Sequence, residues 1–112
     1  MDELIKMIRR FDAERDWGQF HSPKNLAMAL SVEVAELVEL FQWMPERESA
    51  QLSDDKRTKL AEEIGDVMIY LANLADKFGI DPMTAAKRKL KLNEAKYPTQ
   101  VAKGSTKKYS EY

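Results

Sequence analysis

Four acidic side chains carry the clearest chemistry in this sequence. They come as two pairs of equal spacing, Glu33-Val34-Ala35-Glu36 and Glu63-Ile64-Gly65-Asp66, with 26 residues between the pairs. Residues three apart share a face of an α-helix. On a helical wheel Glu33 lies in the middle of the stripe made by Leu26, Ala29, Leu30, Leu37 and Leu40. Glu63 lies in the same way among Leu60, Val67, Tyr70 and Leu74. Glu36 and Asp66 sit at the edges of these stripes, whereas Glu39 and Glu62 fall off them. Facing stripes would bring Glu33, Glu36, Glu63 and Asp66 together.

Four ionised carboxylates in a low-dielectric seam cost roughly several kcal/mol per ion. Either some become protonated or a divalent cation supplies the countercharge. Hard oxygen donors on rigid helices suit Mg²⁺, with Mn²⁺ as a substitute, and Mg²⁺ takes part of its ligand set from phosphates. One E-x-x-E pair alone reads best as a solvated helix face. Two pairs, both embedded in apolar stripes, favour metal binding. A di-iron bundle would need Glu-x-x-His on two helices, and the sole histidine, His21, lies outside the predicted helices. A carboxylate not fully engaged by metal would orient a water, and Glu36 is the candidate.

Other residues fit a phosphorylated, planar ligand. Lys89 and Asn93 are spaced i, i+4, so they share a face and offer a charge and an amide to phosphate oxygens. The plainer reading is a solvated basic face, since Lys87, Arg88 and Lys91 surround them. Trp17 and Trp43 flank the ends of the second helix. With His21 they would make a stacking platform with a hydrogen-bonding edge, against the plainer reading as core or interface. Tyr70, one turn after Asp66, is either core or a hydroxyl for phosphate. Phe11, Leu30, Leu37, Leu60, Leu71 and Leu74 read as core.

Punctuation in the sequence sets the elements that position these groups. A first helix spans about residues 2–14, with Leu4, Ile5, Ile8 and Phe11 on one face, and ends near Asp16-Trp17-Gly18. Ser22 caps a second helix with Pro23 in its first turn, and Pro45 stops it after Met44. Residues 45–55 read as a polar loop. Ser53 or Asp54 caps a third helix to about Phe78, ended by Gly79. Asp81-Pro82 opens a fourth, to about Lys96. The polar, Lys-rich tail shows no periodicity. No β-alternation, repeat or second domain is visible. The prediction is all-α, a four-helix-bundle-type domain over residues 1–98 with a tail over 99–112 that contacts substrate or a neighbouring subunit.

With 112 residues, 44% apolar and 33% charged, the chain suits one ordered domain. A chain this short has a thin core as a monomer, which favours an oligomer. The lack of cysteine excludes disulfides, thiolate metal sites and a cysteine nucleophile. The N-terminus has no signal-peptide pattern and no apolar run matches a membrane span, so a cytoplasmic protein without a membrane partner is expected. The net charge of −1 hides a division. Residues 31–66 hold ten acidic and four basic residues, and residues 82–108 hold eight basic residues and one acidic. Near-neutral charge without an extended basic-aromatic surface weighs against nucleic acid as a partner.

The pattern resembles the MazG-like, all-α nucleoside triphosphate pyrophosphatases, and within them the dCTP pyrophosphatase branch. The resemblance rests on RDWGQFHSPKNLAMALSVEVAELVELFQW, LAEEIGDVMIYLANLADKFGID, NEAKYP and KGSTKKY, which span nearly the whole chain after the first helix. It implies Mg²⁺-dependent cleavage of a nucleoside triphosphate, dCTP or a modified cytosine form, between its α and β phosphates. It implies dimers or tetramers whose neighbouring subunits complete each site. It carries metal ligation onto Glu33, Glu36, Glu63 and Asp66, and a base pocket onto Trp17, His21 and Trp43. Phosphate contacts fall on Lys89 and Asn93, with Tyr70, Tyr97, Lys108 and Tyr109 behind them. The human-like members have additional residues before the first helix and a longer loop between the second and third, so selectivity for cytosine need not carry over intact. The competing reading is a non-enzymatic helical interaction module with a structural divalent-metal site.

Overall fold

A computed structural model describes residues 1–104. Helix α1 spans Asp2–Glu14, a 3₁₀ turn follows at Trp17–Phe20, and α2 spans Pro23–Glu39. One-turn α3 (Glu46–Ser49) leads to α4 (Asp54–Asp76), α5 (Pro82–Lys96) and one-turn α6 (Thr99–Ala102). Among the described residues there is no strand, and no helix is long and apolar enough to cross a membrane.

The starts of α2, α4 and α5 form as their sequences dictate. The Ser22 hydroxyl accepts the Asn25 N–H at 3.2 Å, that of Ser53 accepts the Lys56 N–H at 3.3 Å, and the Asp81 carboxylate accepts the Thr84 N–H at 2.9 Å. Each cap is worth about 1 kcal/mol. Pro23 and Pro82 fill first-turn positions where no N–H is needed. The hydrogen bond from Thr84 also holds the Asp81 carboxyl below its usual range.

Helix ends differ from expectation. The second helix stops at Glu39 and not at Met44. Residues 40–44 continue as tighter turns, with Leu40 N–H on Leu37 O and Met44 N–H on Phe41 O. Pro45 restricts the residue before it and lacks an N–H, so the helix tightens before reaching it. The presumed loop over residues 45–55 contains α3. The third expected helix is α4, which ends at Asp76. Gly79 there adopts φ +64, and Ile80 N–H reaches back to Ala75 O at 3.0 Å. Behind Pro98, α6 forms where no helix was expected.

Helices α2 and α4 share the longest interface, α1 lies against α4 and the 3₁₀ turn, and α5 makes only a small contact with α4. The fourth helix therefore does not close the expected bundle around the others. The radius of gyration is 17.6 Å, against about 13 Å for a compact chain of this length. Among the described residues, Ile5, Ile8, Leu26 and Ala72 are the buried apolar ones. Phe11 and Leu71, read as core, are exposed, and Leu30, Leu37, Leu60 and Leu74 are half-buried. Faces that a closed bundle would cover stay open.

Candidate functional site

Helices α2 and α4 meet with their acidic pairs turned toward each other. One carboxylate oxygen from each of Glu33, Glu36 and Glu63 lies within 4.8 Å of the other two. Glu33 and Glu63 are half-buried and Glu36 is exposed. Oε2 of Glu33 and Oε2 of Glu63 are both out of water and without a hydrogen-bond partner. Leaving a buried acceptor unpaired costs roughly 1–3 kcal/mol, more when it is charged.

The electrostatics follow. Burial above all, then a hydrogen bond with Glu36 and the charges of Glu36, Asp66 and Glu63, push the Glu33 carboxyl up to about 7. Glu63 is raised mainly by burial, then by the charge of Glu36 and a hydrogen bond with it, while a hydrogen bond with Glu33 opposes the shift. A divalent cation would answer both features, because it supplies partners for the orphan oxygens and offsets the crowded charge. Three hard oxygen donors fit Mg²⁺ or Mn²⁺ as a class. Asp66 is exposed and is not one of the three clustered groups. Its charge nevertheless acts on both Glu33 and Glu63, and it lines the neighbouring cavity.

That cavity, about 330 Å³, opens between α1, the 3₁₀ turn and α4. Phe11, Trp17, His21 and Tyr70 form much of its wall. Trp17 meets Phe11 edge-on at 5.4 Å between ring centres, and His21 meets Trp17 at 6.1 Å and Tyr70 at 6.4 Å. Its polar lining is a small network. Asn73 Nδ2 donates to Asp12 Oδ2 at 2.8 Å, and His21 Nδ1 lies 3.1 Å from the same oxygen. Asn73 is only 4% exposed. Burial, then the charges of Glu33, Asp66 and Asp12, raise the Tyr70 hydroxyl, so it stays protonated and able to donate.

The structure thus brings Trp17, His21, Tyr70 and Asp66 to one cavity and sets Glu33, Glu36 and Glu63 beside it. It does not bring Trp43 there, since that side chain stands 88% exposed in the turns after α2. Lys89, Asn93 and Tyr97 lie on or just after α5 and neither line the cavity nor join the carboxylate cluster. Lys108 and Tyr109 fall outside the described residues. Sequence reasoning missed Asp12 and Asn73. Asn73 did leave a trace, because it continues the face of Glu63, Asp66 and Tyr70 along α4. Asp12 left none, because its partners lie nine and 61 residues away. Chemically, the arrangement offers a slot for a planar ring with a hydrogen-bonding edge, next to a cation site suited to a polyanion.

Comparison with known proteins points the same way. A model of the MazG-like family matches residues 28–112. The chain is 42% identical to dCTP pyrophosphatase 1 of Homo sapiens over 113 residues, covering 99% of this chain and 66% of the human protein. It is 40% identical to dCTP pyrophosphatase 1 of Mus musculus, with 99% and 66% covered. The chain spans about two thirds of the length of these curated relatives. Among solved structures it is similar to a pyrophosphatase from Archaeoglobus fulgidus, with a TM-score of 0.81 and 45% identity, covering 88% of this chain and 92% of that one.

Proposed function

This chain belongs to the MazG-like family, and we propose that it is a nucleoside triphosphate pyrophosphohydrolase. Its substrate is a deoxynucleoside triphosphate, dCTP or a modified cytosine form first, by its likeness to dCTP pyrophosphatase 1. Water and the triphosphate give the monophosphate and pyrophosphate. The observation that carries this reading is the juxtaposition of the three-carboxylate cluster and the aromatic cavity, joined at Asp66.

Glu33, Glu36 and Glu63 would hold Mg²⁺, with Mn²⁺ able to replace it, and Asp66 completes the acidic set. When bound, the ion supplies the positive charge that phosphoryl transfer requires. The chain's own side chains do the rest. Trp17 stacks on the base and His21 meets its polar edge. Tyr70 donates its hydroxyl to a phosphate oxygen. Glu36, the most solvent-accessible of the three clustered carboxylates, orients the attacking water. Such positioning and charge neutralisation need no protein nucleophile.

The protein works as a homo-oligomer, a dimer or a dimer of dimers. Support comes from apolar side chains left exposed on both α2 and α5, among them Met28, Val32, Leu90 and Leu92, and from the open packing of α5. A second copy is what would bring Trp43, Lys89, Asn93 and Tyr97, with Lys108 and Tyr109 of the tail, to the substrate.

Hydrolysis of a panel of canonical and 5-substituted dNTPs with Mg²⁺, followed by product identification, tests the activity. Calorimetry separates it from a structural metal site in an interaction module. A catalytic Mg²⁺ site binds weakly until triphosphate arrives, whereas a structural one binds tightly alone. Light scattering on the purified chain reads the oligomer.

A further inference from the structure

The Asp12–His21–Asn73 network faces the cavity and is not needed for metal binding or for phosphoryl transfer. Its geometry fixes which imidazole nitrogen carries the proton. An ionised carboxylate only accepts hydrogen bonds. His21 Nδ1, 3.1 Å from Asp12 Oδ2, must therefore donate. The Asn73 amide nitrogen also only donates, and it reaches the same oxygen at 2.8 Å. Its 3.4 Å approach to His21 Nδ1 is the meeting of two donors that share one acceptor. Asn73, nearly fully buried on α4, thereby holds that same Asp12 oxygen in place beside His21.

We infer that Asp12 and Asn73 are specificity-determining positioning residues: they lock neutral His21 in the Nδ1–H tautomer, so that Nε2 offers the cavity a hydrogen-bond acceptor. The bond made by one ring nitrogen sets the state of the other. An acceptor at that edge pairs with an exocyclic amino group and meets the carbonyl of a keto base with lone pair against lone pair. The site then favours an amino-bearing pyrimidine such as cytosine over uracil or thymine. Unrestrained imidazole prefers the Nε2–H form, which would reverse that preference. The selectivity rests on the pyrophosphohydrolase reading, whereas the tautomer lock does not.

His21 is the sole histidine of the chain, so its side chain gives one unambiguous pair of ring signals in two-bond ¹H–¹⁵N spectra. The experiment uses uniformly ¹⁵N-labelled full-length protein without nucleotide, at a pH where its own titration shows the ring neutral. The expected spectrum has Nδ1 protonated and Nε2 bare, and Asp12→Ala moves the proton to Nε2. A wild-type ring in the Nε2–H form overturns the lock, and so does a tautomer that Asp12→Ala leaves unchanged. If that variant does not fold, the similarly sized Asp12→Leu, which offers no acceptor, replaces it, with a shift in the same direction. In turnover, the ratio of kcat/KM for dCTP over dUTP falls about tenfold or more in the variant, mainly through KM. A moved proton with an unchanged ratio overturns the selectivity role. If the wild-type protein hydrolyses no dNTP at all, the proposed function fails, and the spectra still decide the lock.

Discussion

Glu63 and Asn73 lie on the same face of α4, and both withdraw polar atoms from water, but their surroundings differ. Asn73 gives its amide to Asp12, whose same oxygen lies 3.1 Å from His21 Nδ1. Glu63 Oε2, like Glu33 Oε2 across the seam, has no partner. The polar part of the cavity is a finished hydrogen-bond network, while the carboxylate cluster is short of positive charge. Buried polar groups are normally paired. The two regions therefore separate a preformed recognition surface from a site whose stability and chemistry wait on a cation.

Substitutions should expose that contrast, and the largest effect belongs to the cluster. Glu63→Gln is expected to lower dNTP turnover about 100-fold or more, while leaving the metal-free protein as stable as wild type or more so, since it removes a poorly compensated charge. Paired turnover and thermal melts read both, and a large loss of stability would remove the distinction. Asn73→Ala should behave in the opposite sense. It takes a donor from a half-buried carboxylate and empties a buried site, so denaturant unfolding should show a loss of about 1–3 kcal/mol.

Next comes pH. Glu33 has a folded value of about 7 against an ordinary 4.5. Between those values the folded state keeps a proton that the unfolded chain releases, so stability falls as pH rises through the window and levels off above it. Melts in chelator should follow that course. Added Mg²⁺ should raise the stability most at the alkaline end, by about 1–2 kcal/mol at concentrations well above Kd. A metal-free protein that gains stability from pH 5 to pH 7 would contradict the account of the cluster. The smallest effect belongs to the ion pair that ties α1 to α4. Arg9 donates through Nε to Asp76 at 2.8 Å and through its terminal nitrogen to the other carboxylate oxygen, which holds Asp76 below its usual range. Arg9 is exposed, and Arg9→Ala should cost less than about 1 kcal/mol in the same melts.

The legible and illegible parts of the site divide along similar lines. Ser22, Ser53 and Asp81 could be read as caps because capping is local chemistry within three residues. The convergence of Glu33, Glu36 and Glu63 was legible because an acidic residue inside an apolar stripe violates amphipathicity in a way a wheel displays. The Asp12–Asn73 contact was not, since it joins residues 61 apart and an asparagine late in a helix breaks no rule by itself. Phe11 was taken for core because periodicity marks an apolar face without saying whether anything covers it. The loose docking of α5 was hidden for the same reason. Its basic residues gave no signal of where the helix axis would point, so the positions of Lys89 and Asn93 relative to the carboxylates could not be read in advance.

The central claim is that the cation-seeking cluster and the finished cavity together cleave a deoxynucleoside triphosphate between its α and β phosphates. Phosphorus NMR of dCTP incubated with the purified chain and Mg²⁺ tests it directly. The account predicts dCMP and pyrophosphate in equal amounts, with no turnover in chelator. Release of orthophosphate with dCDP, or dCTP left intact across the Mg²⁺ range, would contradict it.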